Sequence, residues 1–225
     1  MSPADVLVVF AKAPRAGEVK TRMCPPLSLE EAAEFYAAML DDVLEATARF
    51  APELGLSPVL AVHPAQACAA LARRAPTVFR VVRQRGASLS ERMEWAVREA
   101  LAAGAPRVLL RGSDSPTLDR KAVAAALAAL EQHDVALRPD RDGGYTLVGV
   151  RRCAARLFAH PMSTDRVLAD TLEKARELGF SAAVGETGFD VDTAADLRQL
   201  RHAQRGENGA NCPRTRAWLS AKNLV

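Results

Sequence analysis

Residues 5–22 read DVLVVFAKAPRAGEVKTR, an apolar run that leads directly into a basic, glycine-bearing loop. The apolar run predicts a buried strand. The loop contributes four basic residues and one glycine: Lys12, Arg15, Gly17, Lys20 and Arg22. In α/β proteins such a loop, at the carboxyl end of a parallel strand, offers backbone N–H groups and fixed cations to a phosphate. The stretch therefore predicts an α/β protein that handles a nucleotide or another polyphosphate.

The composition is that of one folded domain. Of the 225 residues, 49% are hydrophobic and 25% are charged, enough to bury a sizeable core. We predict a single nucleotide-binding domain over residues 1–203 and a C-terminal tail over 204–225, either a docked short helix or loose chain. The sequence carries no signal for oligomeric state.

Charge and cysteine usage exclude several classes of protein. Thirty basic and 27 acidic residues give a net charge of +3, too balanced to predict a nucleic-acid or membrane partner. The four cysteines are widely separated and form no CxxC pair, so neither a zinc site nor a disulfide framework is predicted. No apolar run has the length of a secretory core or a membrane span. These features predict a soluble, cytoplasmic protein.

Short Val- and Leu-rich runs alternate with longer amphipathic or Ala-rich segments, which is typical of an α/β sheet. Strands are predicted at 5–11, 57–63, 77–82, 106–111, 135–139 and 146–150. Helices are predicted at 29–50, 64–74, 89–103, 120–133, 164–178 and 194–203. The predicted helix-start signals are a Ser28 to Glu31 capping box and the N-caps Asp119 and Thr193. Gly143 and Gly144 predict a turn before an antiparallel strand, and hence a mixed, mostly parallel sheet.

The basic loop is the first candidate site. Lys20 and Arg22 stand just before the predicted helix, while Gly17 shapes the loop so that backbone can approach an anion. We expect Lys20 and Arg22 to bind phosphate, with Lys12 and Arg15 as further ligands. The alternative is a solvated, positively charged turn.

The second candidate is VLLRGSDSPTL, residues 108–118, in which a buried strand ends just before Asp114. A carboxylate at the carboxyl edge of a sheet can coordinate Mg²⁺, which in turn bridges nucleotide phosphates. The alternative is that Asp114 and Ser115 cap the next helix or form an Asx turn.

Two further acidic segments follow. Asp142 precedes a Gly-Gly-Tyr sequence, which by itself favours an ordinary hairpin turn. In GFDVDTAADL, Asp190 and Asp192 alternate on an extended segment and point the same way, which suits a metal site, although Asp192 could equally cap a helix with Thr193. Because all these segments lie at strand-to-helix edges, a doubly wound sheet would gather them on one side. No GxSxG elbow, Walker A loop or HExxH pair is present.

Six ordered segments over most of the chain resemble a bacterial family, the DUF2064 group of nucleotide-diphospho-sugar transferases with a glycosyltransferase A type fold. They are AKAPRAGEVKTRM (11–23), QRGASLSERM (84–93), GSDSPTL (112–118), DGGYTLVGV (142–150), STDRVL (163–168) and DVDTAADL (190–197). The same architecture is similar to that of molybdenum-cofactor and phospholactate guanylyltransferases.

The resemblance implies a Rossmann-like, three-layer α/β/α sandwich that uses a nucleotide or nucleotide-sugar donor and a small-molecule acceptor. It implies that Ala11 and Gln84 join the basic loop on the nucleotide, and that Asp114 and Asp192 hold Mg²⁺ or Mn²⁺. The catalytic residues it implies are Asp114, Lys20 and Asp142. The residues it implies on the acceptor or sugar side are Gly143, Gly144, Tyr145 and Thr164.

The resemblance favours metal-dependent glycosyl transfer from a nucleotide-diphospho-sugar. One alternative is nucleotidyl transfer from a triphosphate to a phosphorylated or acidic acceptor, with release of pyrophosphate, which the basic loop suits equally. A third is a non-catalytic nucleotide-sensing module. The paired aspartates of the glycosyltransferase motif are replaced here by Ser113, Asp114 and Ser115, which is closer to nucleotidylyltransferases.

Overall fold

The computed structural model describes residues 4–153, 155–205 and 212–222, with the backbone alone for 201–205. The strands are β1 (Asp5–Lys12), β2 (Leu56–His63), β3 (Arg80–Arg83), β4 (Val108–Gly112), β5 (Val135–Pro139), β6 (Tyr145–Val150) and β7 (Ala182–Val184). The helices are α1 (Leu29–Glu53), α2 (Cys68–Arg74), α3 (Leu89–Ala102), α4 (Arg120–Gln132), α5 (Val167–Glu177), α6 (Ala194–Arg205) and α7 (Pro213–Ala221).

The seven strands form one sheet in the order β3-β2-β1-β4-β6-β5-β7. Strand β6 pairs antiparallel with β4 and β5, and every other pairing is parallel. The predicted mixed, mostly parallel sheet is therefore confirmed, and so is the antiparallel pairing after the Gly143–Gly144 turn. The carboxyl ends of β1, β3, β4 and β5 lie at the same sheet edge as the amino end of β6.

Helices cover both faces, as the apolar strands require. Within β1, Val8 packs with α3 and α5, whereas Leu7 and Val9 face the side of α1, α4 and α6. Because successive side chains in a strand point to opposite faces, one apolar run supplies both layers of core. The resulting three-layer α/β/α sandwich is the fold class that the sequence predicted.

Two predicted helix starts are confirmed in detail. Ser28 and Glu31 form a reciprocal capping box at α1, and the Asp119 carboxylate accepts from the N–H of Ala122 at α4. At α6, Thr193 stands directly before the first helical residue, Ala194, which is the position predicted for the N-cap. Its hydroxyl and N–H both donate to the Asp196 carboxylate, so the accepting side chain at this helix start is that of Asp196.

Some element bounds differ from those predicted. Helix α2 begins at Cys68, after a 3₁₀ turn over Ala65–Ala67, and α5 begins at Val167 instead of 164. The α5 start is displaced because the backbone of Asp165 packs directly against Gly143, which has φ 90°. Strand β7 was not predicted: its three residues are too few to show a periodic pattern.

The C-terminal helix α7 lies on α1. The buried Asp42 carboxylate accepts from the N–H and hydroxyl of Thr215, and the Trp218 ring packs against Phe35 at 5.2 Å between centroids. Residues 206–211 and 223–225 of the predicted tail lie outside the described residues, and the domain boundary at 203 stays a prediction. Within the described ranges, no helix combines the length and apolar character needed to cross a bilayer.

Candidate active site

A cleft of about 740 Å³ opens at the sheet edge where β1, β3, β4 and β5 end. The basic loop and the acidic segments, which the sequence predicted to lie on one side of the sheet, meet in this cleft. Eight of the predicted site residues line it, from five separate parts of the chain. They are Ala11, Lys12, Lys20, Arg22, Gln84, Asp114, Asp142 and Asp192, joined by Gly144, Tyr145 and Thr164 on the acceptor side.

Two predicted phosphate ligands have other positions. Arg15 is exposed and pairs with Glu18 at 3.7 Å, and among the described residues neither Arg15 nor Gly17 contributes to the cleft wall. Gly17 shapes the loop instead, with φ 78°, a backbone conformation that suits glycine. Direct phosphate contact by Arg15 or Gly17 stays a prediction without geometric support.

Lys20 joins the two predicted metal ligands. Its ammonium contacts Asp114 and lies 2.7 Å from Oδ1 of Asp192, and its side chain is only 3% exposed. Burial alone lowers the pKa of the ammonium, but the charges and hydrogen bonds of the two carboxylates outweigh it and raise the pKa above its ordinary value. Lys20 therefore stays charged at neutral pH, and the two aspartates share one cation.

The geometry of Lys20, Asp114 and Asp192 bears on whether a divalent metal fits at this point. Among the described residues, no three Asp, Glu, His or Cys side chains are arranged as a ready metal cage. Asp114 and Asp192 nevertheless point oxygen atoms at one common point, the Lys20 ammonium. Mg²⁺ is commonly held by one or two carboxylates and completes its shell with water and substrate phosphates. The pair fits Mg²⁺ in that mode, provided that Lys20 moves.

A fully buried arginine shapes the loop that carries Asp114. Arg111, the next-to-last residue of the otherwise apolar β4, donates to the carbonyl of Ser115 at 2.7 Å and reaches the Thr47 hydroxyl of α1 at 3.4 Å. Burial lowers the pKa of its guanidinium to about 10, which leaves it charged at neutral pH. The sequence reasoning did not single out Arg111, although a lone arginine inside VLLRG was a visible signal.

The loop is also tied to the segment that carries Asp192. The Ser115 hydroxyl donates to the carbonyl of Phe189 at 3.0 Å, and the N–H of Val191 donates to the carbonyl of Asp114 at 2.9 Å. These two bonds join chain segments more than 70 residues apart and fix the distance between the two predicted metal ligands. The predicted alternative, in which Asp114 and Ser115 cap α4, does not hold, because Asp119 is the cap.

Tyr36 of α1 is a second residue that the sequence reasoning missed. Its buried hydroxyl accepts from the N–H of Lys12 at 2.9 Å and hydrogen-bonds the Ser113 hydroxyl at 2.7 Å. Burial, together with the charge of Asp114, raises the pKa of this phenol to about 12. Tyr36 thus joins the end of β1 to the Asp114 loop.

Three carboxyl groups cluster on the β5 side of the cleft. Burial and the charge of nearby Asp142 raise the pKa of Asp140 to about 6. Burial and the charge of Asp114, followed by that of Asp140, raise the pKa of Asp190 well above its ordinary value. Asp190 and Asp192 do not lie in a strand of the sheet. They also have different partners: the N–H of Asp190 donates to Asp140, whereas the carboxylate of Asp192 contacts the Lys20 ammonium. The crowded carboxyls make this side of the cleft acidic.

The predicted acceptor residues are brought together, with distinct local roles. Asp142 accepts from the N–H of Gly144 at 2.9 Å, which is the turn that the sequence indicated. The backbone of Gly143 lies so close to that of Asp165 that a Cβ on residue 143 would collide with it. Tyr145 lines the cleft and its hydroxyl is buried, and burial raises the pKa of that hydroxyl to about 12.

Gln84 and Arg92 form the opposite, β3 side of the cleft. The Gln84 amide donates to the carbonyls of Ala61 at 2.9 Å and Ala11 at 3.3 Å, which ties together the ends of β1 and β2. Arg92 lies 3.5 Å from the Gln84 carbonyl oxygen. Burial, followed by the charges of Arg92 and Lys12, lowers the pKa of nearby His63, so this side of the cleft is basic.

Curated relatives are similar to the chain over most of its length. A phosphoenolpyruvate guanylyltransferase of Sphaerobacter thermophilus is 29% identical over 203 residues, covering 85% of this chain and 91% of the relative. A 3-phospho-D-glycerate guanylyltransferase of Phenylobacterium zucineum is 33% identical over 196 residues, covering 85% of this chain and 88% of the relative.

A solved structure is similar throughout. A protein from Desulfovibrio desulfuricans G20, provisionally named a nucleotide-diphospho-sugar transferase, superposes with a TM-score of 0.88 at 29% identity, covering 100% of this chain and 96% of that one. These relatives are transferases, and the prediction that the chain is a transferase enzyme is confirmed. The family described as uncharacterized protein conserved in bacteria (DUF2064) matches residues 46–164. The chain belongs to the DUF2064 family, as its six ordered segments had indicated.

Proposed function

We propose that the chain is a guanylyltransferase that joins the guanylyl group of GTP to a phosphorylated carboxylic acid and releases pyrophosphate. The observation that carries this proposal is the similarity, over 85% of the chain, to two relatives named for transfers of this kind. The acceptors in their names, phosphoenolpyruvate and 3-phospho-D-glycerate, each combine one phosphate with one carboxylate. The single acidic residue in the Ser113-Asp114-Ser115 sequence also supports nucleotidyl over glycosyl transfer.

The reaction needs positioning more than proton transfer. An oxygen of the acceptor phosphate attacks the α-phosphorus of GTP, and the bond from that phosphorus to the oxygen bridging the β-phosphate breaks. The bridging oxygen leaves with the pyrophosphate. Because an acceptor phosphate is already ionised at neutral pH, no base has to remove a proton. The protein must bring two polyanions into line and offset the charge that develops on the leaving group.

The basic side of the cleft supplies the charge for that task. Lys12 and Arg22 from the first loop and Arg92 from α3 line the cleft, and we assign the phosphates of both substrates to them. The carboxyls on the β5 side repel phosphate but accept hydrogen bonds from neutral hydroxyl groups, so a sugar ring is better placed there. Asp142 then contacts the ribose or the acceptor, as the sequence analysis expected.

Asp114 and Asp192 would hold Mg²⁺ or Mn²⁺. When bound, the metal supplies positive charge to the phosphates and to the leaving pyrophosphate. The residues of this chain contribute what surrounds it: Arg111 and Ser115 orient Asp114, and the Val191 backbone keeps Asp192 at a fixed separation.

The second candidate function is glycosyl transfer from a nucleotide-diphospho-sugar, which the sequence analysis favoured. The observation in its favour is the superposition, over the whole chain, on the Desulfovibrio protein. Its product would be a nucleoside diphosphate, since the bond that breaks joins the sugar to the distal phosphate. The two proposals therefore differ in the phosphorus compound that is released.

Phosphorus NMR separates them. Purified protein with Mg²⁺ is offered GTP with phosphoenolpyruvate or 3-phospho-D-glycerate, and in parallel GDP- and UDP-sugars with the same acids and with simple sugars. We expect acceptor-dependent pyrophosphate and a new diphosphate diester signal from GTP. Replacing GTP by ATP, CTP or UTP checks the base.

Nucleoside diphosphate released only from a sugar donor would reject guanylyl transfer and establish the second candidate. Pyrophosphate that appears at the same rate without any acceptor would indicate hydrolysis and would also reject the first proposal.

A further inference from the structure

The Lys20 ammonium lies at the point that a metal ion would occupy. It contacts Asp114 and lies 2.7 Å from Asp192, the two carboxylates assigned above to the metal. The Lys20 side chain is 3% exposed, whereas the carboxylates are 36% and 37% exposed. The ammonium is therefore beneath the carboxylates and the carboxylates face the cleft.

Lysine and metal compete for the same oxygen atoms. Mg²⁺ binds carboxylate oxygens at about 2.1 Å and demands regular geometry, so it cannot share a partly buried carboxylate pair with an ammonium in contact with both. Two cations at that separation also repel strongly wherever water is largely excluded. Entry of a metal at this point requires the Lys20 ammonium to leave it.

Lys20 has somewhere to go and a means of moving. It stands in the first loop, next to Thr21 and Arg22 on the cleft wall, and the end of its flexible four-carbon stem can swing toward a bound phosphate. Its backbone has φ 50°, the left-handed conformation that is uncommon outside glycine and is found at functional sites. A triphosphate in the cleft offers the ammonium an alternative anionic partner.

We propose that Lys20 closes the metal site in the free protein and that an arriving nucleotide opens it. The phosphates attract the ammonium, the two carboxylates are released, and the metal then binds to them and to the phosphates. Nucleotide and metal consequently bind with positive coupling, and the free protein has low affinity for divalent cations. This inference rests on the proposed function for the metal site at Asp114 and Asp192 and for the identity of the nucleotide.

The first test measures Mn²⁺ binding by electron paramagnetic resonance, without nucleotide. We expect weak binding to the wild-type protein and a rise of at least about tenfold in affinity for Lys20→Met, the size of effect seen when groups around metal ligands are altered. Lys12→Met is the matched variant: it removes the same charge from the cleft wall but not from between the carboxylates. Its Mn²⁺ affinity should stay within about twofold of wild type.

Equal Mn²⁺ affinity in wild type and Lys20→Met would overturn the proposal, and so would an equal gain in both lysine variants, which would indicate a general charge effect. Circular dichroism checks the fold, and Lys20→Gln replaces Lys20→Met if the latter does not fold. Failure of Mn²⁺ to bind to any variant would also reject the proposal, because the exposed carboxylates would then not be a metal site.

The second test observes Lys20 directly. Nitrogen-15 NMR of lysine ammonium groups should show one slowly exchanging signal that is absent from Lys20→Met. Adding GTP in excess EDTA should shift that signal or broaden it beyond detection, because the ammonium leaves the carboxylates before any metal is present. An unchanged signal, while calorimetry shows that GTP is bound, would overturn the proposal. These tests do not measure turnover, so they stand apart from the choice of transfer reaction.

Discussion

Loop 13–22 and loop 112–118 meet where Lys20 contacts Asp114, yet they are held in different ways. Loop 112–118 is fixed by bonds to a distant part of the chain: the Ser115 hydroxyl donates to the carbonyl of Phe189, and the Asp114 carbonyl accepts from the N–H of Val191. The backbone bonds within loop 13–22 are local, from Arg15 to Ala13 and from Glu18 to Arg15, and the loop reaches Asp114 and Asp192 through the Lys20 side chain. Its backbone bond to the neighbouring strand runs from Ala13 to His63.

The difference matches what the proposed function requires of each loop. Carboxylates that hold a metal gain from fixed positions, because misplacement weakens every coordinating bond at once. Cations that bind phosphate must first admit a large, flexible substrate and then close on it. A rigid acidic loop beside an adaptable basic loop satisfies both requirements.

The largest effect is expected from Asp114→Asn in the rigid loop. An amide is a weaker ligand for a hard cation, so kcat should fall by about a hundredfold or more while the protein stays folded. The measurement is the initial rate of pyrophosphate release with Mg²⁺. Asp170→Asn makes the same chemical change at a half-buried carboxylate of α5 that pairs with Arg166, and an equal loss in both variants would remove Asp114 from the metal site.

The rigidity itself can be weakened by Arg111→Met. The substitution leaves the Ser115 carbonyl without its buried donor, and we expect the free energy of unfolding to drop by about 3 kcal/mol in urea denaturation. Thr47→Val removes a longer, weaker contact of the same guanidinium and should cost less than about 1 kcal/mol. A stability within error of wild type for Arg111→Met would contradict the role given to this side chain.

The adaptable loop should respond in binding and not in stability. Arg22→Ala removes a charged donor from the cleft wall, and we expect the Kd for GTP to rise about tenfold with an unchanged Tm. Arg15→Ala alters the same loop outside that wall and should change the Kd by less than about twofold. Isothermal titration measures both. If Arg15→Ala raised the Kd for GTP more than about twofold, Arg15 would again count as a phosphate ligand.

The smallest effect concerns pH and the Asp140 carboxyl. Its pKa of about 6 in the folded protein exceeds the ordinary value of 3.8, so the folded state binds the proton more tightly than the unfolded state. The stabilisation of the folded state by this proton is complete below about pH 4 and is lost as the pH rises through 6. Asp140→Asn stays neutral, so its stability relative to wild type should rise between pH 4 and 7. A pH-independent difference in urea denaturation would reject the raised pKa.

The basic loop, the end of β4 and the Gly143–Gly144 turn were all predictable, because each is a local signal at the end of an apolar run. The gathering of these segments at one edge followed from the alternation of strands and helices. The contact between Lys20 and Asp192 was not predictable from periodicity, since it joins residues 172 positions apart. The same holds for Tyr36, whose position in an apolar helix looks like ordinary core.

The bonds between Lys20 and Asp192 also have a consequence for folding. A site whose two halves come from opposite ends of the sequence forms only after long-range closure, which is a slow class of folding event. Under the proposed function, nucleotide should therefore have little affinity for partly folded chains and should stabilise the completed structure by mass action. A rise in Tm on adding nucleotide thus reports that the last quarter of the chain has docked onto the first.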